Sequence, residues 1–316
     1  MPDFQGSPRT PHKKVTRHPP SSASKLGSPC RVVVTSVGFP NYVSRLVKPT
    51  VELDKSFVQG TKTPRMHELA ETHRLLMSEA LLYELLSNPV DRKICFAKFP
   101  QVENPVDFVL HVGGYLRKEI NRRKPAPKPS ARSERIRFRF NAALLSDAYE
   151  LPPAARAVVA KQRAELLADV ASLKERSLHS PEFFPEVFNG SDEHRRAARA
   201  KAEEAILKDR DSLLHFYGQL RSPKGQPRLP PKRLLSEEWA LYRWLQIELL
   251  FAIDLYARYG PKLSQPLGER IEEKIEHDVL DSQYMLLGVL EGAFATRETK
   301  LRNWFTAICP NGRLYG

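Results

Sequence analysis

Cysteine is scarce. The chain has three, Cys30, Cys95 and Cys309, far apart and without a CxxC pair. That excludes a disulfide scaffold and argues against a zinc ribbon; it fits a reducing compartment. No stretch is free enough of charge to span a bilayer. The most apolar long segment, Trp239–Tyr259, carries Arg243, Glu248, Asp254 and Arg258, which would be costly in lipid and instead suit a buried soluble helix. The polar, Pro- and Ser-rich N-terminus lacks the apolar core of a signal peptide, so the expected location is cytoplasmic. There is no GxxxxGK[ST] and no GxGxxG, which leaves nucleotide-binding readings without support. No internal repeat and no recognisable Ser/His/Asp arrangement is present.

What is abundant is positive charge. The 316 residues carry a formal +13, with 41% hydrophobic and 28% charged residues. The apolar share is enough for a sizeable core, and the surplus of Lys and Arg favours an anionic partner, nucleic acid first. The charge is concentrated in two places. Residues 1–29 read as a disordered basic tail, with Pro2, Pro8, Pro11, Pro19, Pro20 and Pro29, and five basic residues against Asp3. Arg117–Arg139 holds ten basic side chains against Glu119 and Glu134, and Pro125, Pro127 and Pro129 make its middle an exposed linker.

Order is expected from about Arg31, with Val32–Val34 a short strand. Val51–Leu53 reads as a strand ending on Asp54, Thr63-Pro64 opens a helix through Thr72, Leu75–Met77 is a second strand and Ser78–Leu86 a helix. Strand, helix, strand, helix is the order of an α/β fold with a parallel sheet. Helices are also expected over 105–120, where Gly113 and Gly114 weaken the pattern, and over 153–176 and 192–221. Residues 222–235 form a second Pro-rich basic connector. Ser236 stands as N-cap of a helix running to Tyr259 and stopped by Gly260-Pro261. A helix over 267–290 ends at Gly292, Ala293–Thr296 is a strand, and a last helix covers 298–308. The aromatics Trp239, Tyr242, Trp244, Phe251 and Tyr256 are spaced as a helix packed into a core rather than as a base-stacking platform.

Four acids stand where the chain changes structure: Asp54, Glu84, Asp281 and Glu298. Ligands of parallel α/β sheets bind at the carboxyl ends of strands, and Asp54 and Glu298 are expected there. Carboxylates brought together repel unless a cation compensates; Mg²⁺ takes a few carboxylates plus water and phosphate; metals of this kind activate water for phosphodiester cleavage. A basic surface with an acidic centre is what a metal-dependent nuclease needs. Asp278, three residues before Asp281 on the same helical face, is a further candidate. His73 and His277 have no partner at metal spacing and read as structural.

The same residues resemble the PIN-domain-like nucleases. That family opens on a strand ending Asp-x-(Asn/Ser), here Asp54-Lys55-Ser56. A strand, a Ser and a helical Glu six positions on follow, here Ser78 and Glu84. Near the C-terminus come Asp, an apolar helix, Gly, a short strand, Thr, and an acidic residue or Asn, here Asp281, Gly292, Thr296 and Glu298. The match covers about 47–90 and 270–305. Two features depart from it. Glu298 stands where Asp or Asn is usual, and 197 residues separate Glu84 from Asp281. The resemblance implies a three-layer α/β fold with a short parallel central sheet, formed by 30–100 and 236–316, and a large basic, mostly helical insertion over 101–235. It implies a ribonuclease using Mg²⁺ or Mn²⁺ held by Asp54, Glu84, Asp281 and Glu298, acting on RNA, with DNA the other substrate. The alternative is a non-catalytic RNA-binding or assembly module on the same scaffold; a third reading gives the insertion a regulatory, antitoxin-like protein partner.

Overall fold

Five short strands pair in parallel in the order β3-β2-β1-β4-β5. The computed structural model describes residues 48–102, 104–132, 142–220 and 228–316. The expected tail over 1–29, the strand Val32–Val34, residues 133–139 of the basic segment and 222–227 of the connector lie outside the described residues.

The strands are β1 (Thr50–Leu53), β2 (Arg74–Ser78), β3 (Asp107–Val109), β4 (Ala293–Ala295) and β5 (Arg313–Tyr315). The central strands are buried on both faces, as a parallel sheet covered by helices requires. β1 pairs with β2 through Val51 and Leu75, and with β4 through Leu53 and Ala295. The chain moves outward from β1 to β2 and β3, then returns to the other side of β1 for β4 and β5. Right-handed crossovers then put the helices following β1 and those following β4 on opposite faces. The strand order reverses between β1 and β4, and the crevice expected at such a switch point lies at the carboxyl ends of these strands.

The first crossover carries α1 (Lys55–Gly60) and α2 (Thr63–Thr72), the second α3 (Glu79–Ser87) and α4 (Pro89–Phe96). Pro64 sits in the first turn of α2, where its missing N–H costs nothing. Ser78 caps α3 by accepting from Leu81 N at 3.2 Å. The helix expected over 105–120 starts only at α5 (Val112–Arg122); Asp107–Val109 is instead β3, in register with Leu76–Ser78 of β2. The central sheet therefore reaches into the stretch expected to be a helical insertion.

Beyond it come α6 (Pro153–Phe183), α7 (Pro185–Phe188), α8 (Asp192–Lys208) and α9 (Arg210–Tyr217). The helix expected over 192–221 is broken at Asp209, whose side chain turns the chain by accepting from Asp211 N and Ser212 N. One continuous apolar core joins the sheet to Leu166 and Leu173 of α6, Ile206 of α8 and Leu213 of α9.

α10 (Ala240–Tyr259) does not take Ser236 as its cap. Its first N–H groups, on Ala240 and Leu241, donate at 2.8 Å to the two oxygens of Glu119, a wholly buried carboxylate on α5 that also accepts from Ala126 N at 2.7 Å. An anion held there also satisfies the helix dipole. Trp239, Tyr242 and Phe251 are buried as expected of core aromatics. α11 (Glu269–Glu291) leads into β4. Gly292 ends it in the left-handed region at φ +80°. Gly288 lets the Phe294 ring close on the helix; a Cβ there would lie 2.8 Å from that ring. α12 (Thr299–Ile308) connects β4 to β5. Among the described residues no helix is long and apolar enough to cross a membrane.

Candidate active site

Asp54 follows the last residue of β1 and is 1% exposed. It caps α1, with Oδ1 accepting from Ser56 N at 2.9 Å and Oδ2 from Ser56 Oγ at 2.6 Å. Thr296 Oγ1, just past β4, also donates to Asp54 Oδ2. Asp54 N donates to Ala295 O at 3.1 Å, and Arg297 N to Ser56 Oγ at 3.0 Å. The loops after β1 and β4 are thus stitched across the crevice. Ser56 and Thr296 both orient Asp54, and Thr296 Oγ1 also accepts from Glu298 N at 3.2 Å.

Glu84 lies on the buried face of α3. Its Oε2 accepts from Tyr284 OH at 2.6 Å, and its Oε1 lies 3.1 Å from Lys55 Nζ and 2.9 Å from His277 Nδ1. Lys55 also reaches Asp91 at 2.9 Å. Burial would raise the Glu84 carboxyl, but His277, Lys55 and Tyr284 outweigh it and hold it below the ordinary carboxylate value. His277, expected to be merely structural, belongs to the site, and its imidazole is pushed up by the Glu84 hydrogen bond. His73 is structural, 2.8 Å from Tyr315 OH.

Asp281 faces this group from α11. Among the described residues its carboxylate has no hydrogen-bond partner. Burial pushes it well up, and the charges of Glu298, Asp54 and Glu84 push the same way, against a smaller pull from Lys300. Glu298, exposed at the start of α12, is raised by desolvation and by Asp54. Asp54 itself is raised by burial, with the Ser56 and Thr296 hydrogen bonds pulling it down and Glu84 adding to the rise. Asp278 is separate from this set: it pairs with Lys300 Nζ at 2.8 Å and with Arg258, and both cations also hold Asp254.

Asp54 and Glu298 thus follow the carboxyl ends of β1 and β4, Glu84 lies on α3 and Asp281 on α11, and the charges of the other three act on Asp281. They are not equivalent. Glu84 has cationic and hydroxyl partners on both oxygens, Asp54 has neutral donors, and Asp281 and Glu298 have neither. Among the described residues no three His, Cys, Asp or Glu side chains converge closely enough to enclose a metal ion. The donor set is all oxygen, and Mg²⁺ takes one or two carboxylates while keeping several waters. These carboxylates offer the oxygen donors a hydrated hard cation takes and no thiolate set for a tetrahedral zinc centre. Lys55, His277, Tyr284 and the wholly buried Glu52 were not legible as special; Glu52, in mid-β1, is pushed well up by burial and by nearby Glu291.

The chain matches no protein-family model, no curated protein and no solved structure.

Proposed function

We propose that this protein is a PIN-like nuclease that hydrolyses phosphodiester bonds in RNA using Mg²⁺ or Mn²⁺. The observation that carries the reading is Asp281, a half-buried carboxylate with no hydrogen-bond donor among the described residues, set against the charges of Glu298, Asp54 and Glu84. Such an arrangement is unfavourable unless a cation enters.

Asp54 and Asp281 would hold the ion, with Glu298 reaching it through its longer side chain. A bound divalent cation supplies Lewis acidity at phosphorus and water of lowered pKa. Ser56 and Thr296 fix the Asp54 carboxylate, so its oxygens are aimed before substrate arrives. Glu84 anchors Lys55 and His277 beside the site, where the Lys55 ammonium would favour a phosphate. The exposed basic residues Arg122, Arg123 and Lys124 collect the backbone.

The test is cleavage of labelled single-stranded RNA with Mg²⁺, with Mn²⁺ and with chelator. Asp54→Asn keeps the size of the side chain and removes its charge. Cleavage should fall by about a hundredfold or more while RNA binding and fold persist. A fully active Asp54→Asn protein contradicts the reading. The saturation of Glu84 by Lys55, His277 and Tyr284 favours a second reading, a non-catalytic RNA-binding module on the same scaffold. It predicts salt-sensitive RNA binding without metal-dependent turnover.

A further inference from the structure

α11 presents a second face. Asp281 and Tyr284 look toward the acidic cluster, whereas Ser282 and Gln283 line a cavity of about 200 Å³ enclosed by α5, α6, α10 and α11. A cavity of about 150 Å³ admits a benzene ring, so this one has room for a heterocyclic base. Leu173 and Leu286 give it apolar walls, and Trp244 an aromatic one.

Its polar groups are specific. Asp169 and Arg176 are seven residues apart on α6, so they share one face about 10 Å apart along the axis. The Arg176 fork is fixed by its ion pair with Glu248 and by the Trp244 ring, 5.7 Å from its carbon. Yet among the described residues Arg176 Nε is buried with no acceptor, which native structures rarely leave unanswered. Asp169 accepts one long hydrogen bond, from Gln283 Nε2 to Oδ2 at 3.2 Å; among the described residues its Oδ1 has none. His111 Nδ1 accepts from Gly113 N at 3.0 Å, which leaves its proton on Nε2, a second donor at the wall.

We propose that this cavity is a guanine-binding pocket: the N1–H and exocyclic amine donate to Asp169, and O6 or N7 accepts from Arg176 Nε. Guanine places two adjacent donors beside an acceptor, as these groups require. Adenine would set its N1 lone pair against the carboxylate, and uracil offers a single donor. An arginine side chain from a protein partner carries donors only and would leave Arg176 Nε unanswered. That the base belongs to an RNA whose backbone also reaches the acidic cluster rests on the nuclease reading; the pocket does not.

The experiment uses guanosine and adenosine, which lack a phosphate and so ignore the basic surface. Binding to the full chain is followed by saturation-transfer NMR in chelator, with the wild type, Asp169→Asn, Ser172→Phe (which fills the cavity) and Asp54→Asn, each checked for fold by circular dichroism. Guanosine should bind saturably, about tenfold or more tighter than adenosine. Asp169→Asn should reduce that preference to about twofold or less, and Ser172→Phe should abolish binding. Absence of guanosine binding by the wild type, equal affinity for the two nucleosides, or an unchanged preference in a folded Asp169→Asn protein overturns the proposal. Asp54→Asn should bind guanosine as the wild type does; a wild type that binds guanosine with this preference but cleaves no RNA would count against the nuclease reading alone.

Discussion

Among the described residues no hydrogen-bond donor holds Asp281, and the charges of Glu298, Asp54 and Glu84 act on it. Its folded-state pKa is raised above the ordinary 3.8, so the folded protein favours the protonated form. The sign follows: below about pH 4 the group costs nothing, and stability is lost as pH rises through the raised value. His277, raised above 6.5 by Glu84, adds a loss in the same direction at higher pH. In chelator, these two groups should therefore withdraw stability as pH rises above about 4. Asp281→Asn should flatten that loss, read as melting temperature, and be the more stable protein at pH 7. Superimposable pH profiles for the two proteins would show that Asp281 carries no such penalty. Asp54, Glu84, Asp281 and Glu298 were legible because each follows a local pattern, a strand end or an apolar helical stripe. Their partners were not: Lys55 meets Glu84 across 29 positions and Tyr284 across 200, and nothing in the neighbourhood of either residue announces it.

At the scale of elements, what was readable was what local sequence decides. β1, β2, α2 and α3 fall within a residue or two of their expected limits, since β-branched runs, Thr63-Pro64 and Ser78 act on their immediate neighbours. β3 was missed because three residues, closely followed by Gly113 and Gly114, give no periodicity; the strand exists by pairing with β2. The start of α10 was missed for the same reason. Ser236 has the chemistry of a cap, but the capping is done by Glu119, 121 residues away. That carboxylate holds three backbone N–H groups, on Ala126, Ala240 and Leu241. Glu119→Ala should leave them buried and unpaired and cost about 2–4 kcal/mol, seen as a lower urea midpoint. Ser236→Ala should change stability by less than about 0.5 kcal/mol. Equal effects of the two substitutions would contradict this assignment of the cap.

For the whole molecule, an exposed basic run is set apart from the candidate acids: Arg122, Arg123 and Lys124 stand exposed at the end of α5, whereas Asp54 and Glu298 follow the carboxyl ends of β1 and β4. If that run contacts the RNA backbone, affinity should fall linearly in a plot of log affinity against log salt. Replacing Arg122 and Lys124 by Ser, together with Arg123 by Asn (Arg123 has φ +51°, which Asn tolerates), should reduce the slope by about 2 for single-stranded RNA. Cleavage at saturating RNA should be little changed. An unaltered slope would move the RNA path elsewhere on the molecule. The claim on which the rest depends is that the acidic crevice takes a divalent cation, and calorimetric titration of Mn²⁺ into the wild type, Asp54→Asn and Asp281→Asn tests it most directly. The account predicts saturable binding to the wild type, weakened by about tenfold or more in each variant; the same binding curve for all three proteins, or no binding to the wild type, would contradict it.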